Sequence, residues 1–231
     1  MIEGPQFVRV AALIGDRARA QALAVLMGGQ ALTATELARV AGVTKPTMSA
    51  HLAKLLGAGL VEVQCQGRHR YYGLADADVA HALETLMGVA FRTGAVPLRS
   101  SPREPALRLA RLCYDHLAGR RGVELFELLQ QRGAWTGGAD DLRLTARGRA
   151  LFAAIDIDVD ALGHGRRPLC RACLDWSERR QHLAGALGAA LWTRLVGNGW
   201  ARRLAGTRGV EITQAGEAAL RQWLAPRIAA V

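Results

Sequence analysis

The sequence predicts a mainly α chain with short β-hairpins, an α+β fold in two parts. Three observations lead there. Helix caps and glycine stops bracket apolar stripes along the first part of the chain. A single stretch of strand-like alternation follows them. The second half then repeats its own residue pattern.

From Gly4 to Ile14 the apolar content predicts a short helix. Asp16 is a good N-cap for "RARAQALAVLMGG", where Ala22, Leu23, Leu26 and Met27 share one face and Gly28-Gly29 stops the helix. Thr33 and Glu36 spell a T-x-x-E capping box ahead of "LARVA". Gly42 supplies a tight turn. Thr44 caps the next helix, with Pro46 in its first turn, where the missing N–H costs nothing. That helix should turn Met48, Leu52, Leu55 and Leu56 inward and end at Gly57 and Gly59.

In "LVEVQCQGRHRYYGL", Val61 and Val63 alternate with Glu62 and Gln64, and Tyr71-Tyr72 follow a tip at Gln66-Gly67-Arg68. This reads as a hairpin. Asp76 then caps a helix whose apolar stripe is Val79, Leu83, Leu86, Met87 and Ala90. A helix, tight turn, helix and basic hairpin in that order make a winged helix-turn-helix. Its second helix lies in the major groove of DNA, and its hairpin reaches a neighbouring groove or phosphate. This domain should occupy residues 1–92. Residues 93–106, "TGAVPLRSSPREPA", hold three prolines and two serines and read as a linker.

From residue 107 to 231 the chain repeats itself. Cys-x-Asp, Leu-Ala-Gly, a leucine helix, Gly then Trp, and a strand ending in Thr-x-x-Gly occur twice in the same order. The first copy starts at Cys113 and the second at Cys173. Each copy is expected to be a helix, a hairpin and a helix, giving two winged-helix-like units around one core.

Apolar runs are short and broken by charge, although 50% of the residues are hydrophobic. No membrane span is expected, and "MIEGPQFVRV" lacks the layout of a signal peptide. A cytoplasmic protein follows, whose four cysteines are thiols, metal ligands or core residues. The net charge of +10 is unevenly spread: residues 1–91 hold 8 Lys+Arg against 7 Asp+Glu, and residues 92–231 hold 22 against 13. Net charge therefore does not locate a DNA-binding surface. The two lysines do better, because Lys45 and Lys54 both fall in the segment predicted to enter the groove. Short polar side chains there approach base edges while longer cations hold the phosphates. The expected DNA contacts are Lys45, Thr47, Ser49, His51 and Lys54, with Arg68, His69 and Arg70 on the wing.

Glu36-Leu37-Ala38, the Thr/Ser-rich start of the second helix, Ser49 with His51-Leu52, "LLGAGL" at 55–60, and Arg68 to Tyr72 together resemble the ArsR family of bacterial repressors. The resemblance covers roughly the first 90 residues. It implies a homodimer built on the first and last helices of the domain, a pseudo-palindromic double-stranded operator, and release by an inducer. The family's best-known metal sensors carry paired cysteines in the helix that here reads "TELARVAGV", which has none. Only Asp76, Asp78 and His81 approach the Asp/His set of its zinc sensors. Any small-molecule or metal effector is therefore expected at the second half.

There, "HGRRPLCRACLDWSERRQH" is the densest reactive stretch. Cys170 and Cys173 form a C-x-x-C between His164 and His182, among arginines that favour thiolates. A soft or transition metal at Cys170 and Cys173 is one reading. A thiol sensor is another, and core packing a third. A closed metal site needs two more ligands, for which Cys113 and His116 are the candidates. Trp135, Trp176, Trp192 and Trp200 either line an apolar pocket or fill the core. A thiol-disulfide or soft-metal-binding protein is the alternative to a regulator. No βαβ alternation, glycine-rich phosphate loop or His-Glu-x-x-His appears, so no catalytic residue is expected.

Overall fold

A computed structural model describes residues 7–94, 104–139, 141–164, 167–205 and 207–225. The chain divides into two compact units, Met1–Leu83 and Glu84–Val231. The division falls inside the helix expected to close the first domain. Most of the expected linker, residues 95–103, lies outside the described residues.

The N-terminal unit runs α1 (Phe7–Ile14), α2 (Arg17–Leu26), β1 (Leu32–Thr33), α3 (Ala34–Ala41), α4 (Lys45–Gly57), β2 (Val61–Gln66), β3 (His69–Leu74) and the start of α5 (Ala77–Arg92). Each boundary has a local cause. Asp16 accepts from the Arg19 N–H at 2.9 Å, and Thr33 with Glu36 closes the capping box. Gly42 takes the left-handed conformation at φ 65° to end α3, and Thr44 caps α4. Ala22, Leu23, Leu26, Met27, Leu37, Met48, Leu52 and Leu55 are buried. Leu56, expected inward, is exposed, because one residue beyond Leu55 the helix has turned by about 100°. The hairpin pairs Gln66 with His69, and its two-residue turn places Gly67 at φ 58°. β1 adds to the other edge of β3, giving the order β1-β3-β2.

The second unit contains the rest of α5, then α6 (Glu104–Leu109) and the first repeat: β4 (Arg111–Cys113), β5 (His116–Ala118), α7 (Arg120–Gln131), β6 (Trp135–Thr136), β7 (Arg143–Leu144) and α8 (Ala146–Ala153). After α9 (Val159–Leu162) comes the second: β8 (Arg171–Leu174), β9 (Gln181–Ala184), α10 (Gly185–Gly197), β10 (Ala201–Arg203), β11 (Val210–Ile212) and α11 (Gln214–Trp223). Each copy thus has a leading hairpin in addition to the expected helix, hairpin and helix. The Leu-Ala-Gly motif is the end of that hairpin. Gly119 and Gly185, at φ 79° and 83°, turn the chain from strand into helix.

Thr-x-x-Gly has an equally specific cause. Thr145 and Thr213 cap α8 and α11, accepting from the Gly148 and Gly216 N–H groups at 2.9 and 3.0 Å. Each of these glycines lies flat against the carbonyl of Ala134 or Trp200. One shared core, including Leu112, Phe126, Leu129, Phe152, Leu187, Trp192 and Leu195, fills both repeats.

Candidate nucleic-acid interface and a buried Cys-His cluster

Opposite its buried Met48, Leu52 and Leu55, α4 presents an exposed arc. Lys45 and Ser49 lie on one flank and Thr47 and Lys54 on the other, and the helix carries no acidic residue. A groove of about 760 Å³ runs between α4 and the wing, lined by Lys45, Ser49, Arg39, Arg68, His69 and Arg70 among others. Glu36 also lines it. Its carboxylate accepts from the Thr33 N–H at 2.8 Å and the Thr33 hydroxyl at 2.7 Å, and these bonds hold its pKa below the usual range. That negative charge is spent on the helix terminus. Arg68, His69 and Arg70 are exposed at the wing tip.

His51 is less exposed than these residues. Its ring is half-buried, with Nδ1 3.2 Å from Arg19 Nη1 and 3.8 Å from Asp16 Oδ1. Arg19 also donates to the carbonyls of Leu13 and Ala12, at 2.6 and 3.0 Å. His51 ties α4 to α2 at the edge of the exposed arc, one turn beyond Thr47.

Of the six candidate sensor residues, the fold brings four together. Cys113, His116, Cys173 and His182 are all buried, and one ligand atom from each lies within 4.8 Å of all the others. Cys113 pairs with His116 across β4 and β5, and Cys173 with His182 across β8 and β9. This is the one such group among the described residues, so Asp76, Asp78 and His81 form none.

Cys170 and His164 are not in the cluster, which moves the expected metal position away from a Cys170/Cys173 pair. The reason is the hairpin: β8 begins at Arg171 and pairs Cys173 with His182, while Cys170 precedes the strand and has no partner in the ladder. Cys170 packs at the edge of the main core, and His164 is exposed after α9. Burial pushes the Cys170 thiol up to about 11, against a smaller opposite pull from Arg149. The arginine-rich setting therefore does not make Cys170 a thiolate. The tryptophans are largely structural: Trp135 and Trp192 are buried, and Trp176 stacks under the Arg111 guanidinium at 4.6 Å.

A buried ionic network surrounds the cluster. Arg111 Nη2 lies 2.8 Å from Glu84 Oε1 and 2.8 Å from Asp175 Oδ2, and Arg208 Nη1 lies 3.3 Å from Glu84 Oε2. Asp175 Oδ2 also accepts from the Gly119 N–H at 2.7 Å. Burial opposes ionisation of Asp175, but the Arg111 charge holds its carboxyl well below the usual range. The sequence had no signal for this network, whose members come from α5, β4, the β8–β9 turn and the segment before β11.

A helix-turn-helix domain model matches residues 14–64. The HTH-type transcriptional regulator YdfF of Bacillus subtilis is 39% identical over 224 residues, which is 97% of this chain and 99% of that one. The chain belongs to the HTH-type transcriptional regulators. It is a DNA-binding transcriptional regulator. The regulator CmtR of Mycobacterium tuberculosis is 36% identical over 81 residues, 35% of this chain and 68% of that one. Among solved structures, the homodimeric winged helix-turn-helix domain Mb0332 of Mycobacterium bovis aligns at 25% identity and a TM-score of 0.36. It covers 44% of this chain and all of that one. The cadmium metal-sensor CmtR of Mycobacterium tuberculosis aligns at 31% identity and a TM-score of 0.32, covering 41% and 92%.

In this HTH-type regulator, the likeness to CmtR is confined to about a third of the chain, whereas the likeness to YdfF spans both units. No helix among the described residues is long and apolar enough to cross a membrane.

Proposed function

We propose that this regulator is a homodimeric, cytoplasmic repressor. It holds a pseudo-palindromic double-stranded operator with α4 and the wing of each copy. An effector acting at the C-terminal unit, a small molecule, metal or thiol signal, releases it. The observation that carries the reading is the exposed arc of α4, polar, free of acidic residues and set beside the basic wing. Ser49 and Thr47 are short enough to approach base edges, and Lys45, Lys54, Arg68 and Arg70 reach phosphates.

Replacing Arg68 and Arg70 with alanine should weaken binding to every DNA sequence and reduce the salt slope by about 2. Ser49→Ala should instead alter operator preference. Fluorescence anisotropy across a salt series separates the two, and an unchanged slope in the double arginine variant sinks the wing assignment.

The dimer is supported by α1. None of its residues is buried, and Phe7, Val8 and Val10 are 67%, 59% and 39% exposed. An eight-residue helix with a bare apolar side gains too little alone to persist in water, so a second copy is the natural cover. Leu86 and Val89 of α5 are likewise exposed. Phe7→Asp with Val10→Asp should shift the protein to monomer in sedimentation velocity and abolish tight operator binding. A variant that stays dimeric would place the contact elsewhere.

A further inference from the structure

We propose that Cys113, His116, Cys173 and His182 are the four ligands of a closed, tetrahedral divalent-metal site of the zinc class that joins the two repeats of the C-terminal unit. The donor set is two sulfurs and two imidazole nitrogens, the composition of structural zinc sites. Ligand atoms in such a tetrahedron lie about 3.3–3.8 Å apart. The cluster, at 4.8 Å or less, needs only about 1 Å of closure.

The imidazoles are prepared for this. His116 Nδ1 is 3.1 Å from Asp115 Oδ1, which leaves Nε2 buried without a hydrogen-bond partner. Asp115 is itself held by Arg167. His182 is fully buried, with neither ring nitrogen hydrogen-bonded, and its Nδ1 lies 3.8 Å from Asp175 Oδ2. Each histidine thus has on its Nδ1 side the aspartate of its own Cys-x-Asp motif, the carboxylate–histidine–metal arrangement that fixes the tautomer. Buried unsatisfied nitrogens are costly unless something occupies them.

Packing prepares the site as well. A Cβ on Gly122 would meet the Leu117 carbonyl at 2.6 Å, and His182 Cβ lies 3.6 Å from that position. A Cβ on Gly188 would meet the Leu183 carbonyl at 2.6 Å and His116 Cβ at 3.2 Å. The glycine of each repeat therefore makes room for the histidine of the other. Charge also fits. Arg111 and Arg208 offset Glu84 and Asp175, so the surroundings require a neutral occupant. A divalent ion with two thiolates and two neutral imidazoles is neutral, and its binding releases the two thiol protons to water. With four protein ligands and no open position, the ion holds structure and performs no chemistry.

The test needs no DNA, so its outcome is independent of the operator reading. Full-length protein is loaded with zinc and, separately, with cobalt(II). One ion per chain, thiolate-to-cobalt charge transfer and the intense visible bands of a tetrahedral site are expected. A strong chelator should lower the melting temperature. Cys170→Ser should keep the full stoichiometry, whereas Cys113→Ser and His182→Gln should lose the cobalt spectrum. Folded wild-type protein that binds neither ion would overturn the proposal. So would an octahedral cobalt spectrum, loss of metal in Cys170→Ser, or a Cys113–Cys173 disulfide found by mass in freshly purified protein. The wild-type and Cys170→Ser measurements decide the matter even if the ligand variants fail to fold.

Discussion

Asp175→Ala should cost the C-terminal unit about 3–5 kcal/mol of stability, the usual penalty for removing one partner of a buried ion pair. Asp175 is fully buried and accepts from five donors. Arg111 Nη2 and the Gly119 N–H bind Oδ2, while the Ser177 N–H and hydroxyl and the Glu178 N–H bind Oδ1. Truncation leaves two buried guanidinium groups facing the single carboxylate of Glu84. It also strands the Gly119 amide at the start of α7. Asp141→Ala is the matched control. It removes an ion pair with Arg143 in which both side chains are more than 60% exposed, and such pairs contribute at most about 1 kcal/mol. Urea unfolding of both variants in chelator, so that metal content is equal, gives the comparison. Equal losses would mean that the network contributes nothing to stability.

The second large effect is expected at Gly148 and Gly216. An alanine Cβ would lie 2.1 Å from the Ala134 carbonyl oxygen at the first site and 2.0 Å from that of Trp200 at the second. Neither oxygen can swing aside. The Ala134 oxygen accepts from the Thr145 N–H at 3.0 Å and its hydroxyl at 3.2 Å. The Trp200 oxygen accepts from the Thr213 N–H at 2.9 Å and its hydroxyl at 3.3 Å. The obstacle is backbone, so each substitution should reach or exceed the upper end of the roughly 1–3 kcal/mol that overpacking costs. Gly197→Ala, also helical but with open space around it, should be neutral or stabilising by up to about 1 kcal/mol. Thermal unfolding of the three variants tests the opposite signs. A mild effect at Gly148 and Gly216 would show that the Thr-x-x-Gly corners yield.

What could be read in advance was whatever is decided locally. Asp16, Thr33 with Glu36, Gly42 and Thr44 act on atoms three or four residues away, so α2, α3 and α4 were legible in order. Thr-x-x-Gly was visible as a repeat, though its cause, a carbonyl just before the preceding strand, was not. The leading hairpins escaped because strands of three or four residues leave no periodicity to see. The cluster was half legible. Its four residues were all candidates, but spacing favoured Cys170 as Cys173's neighbour, and only the pairing of the two hairpins sets Cys173 with His182, Cys113 and His116 instead. The second contact of His51 was not legible, because its partner Arg19 lies 32 residues away.

The contact between Glu84 and Arg208 spans 124 residues. A ribosome adding about 5–20 residues per second therefore delivers Glu84 roughly 6–25 s before Arg208 exists. By then the caps and buried side chains of α2, α3 and α4 have all been made. The second unit cannot neutralise its buried charges until its last hairpin is translated. A nascent chain thus passes through a stage with a complete N-terminal unit and an unfinished second one, and a truncated message would leave it there.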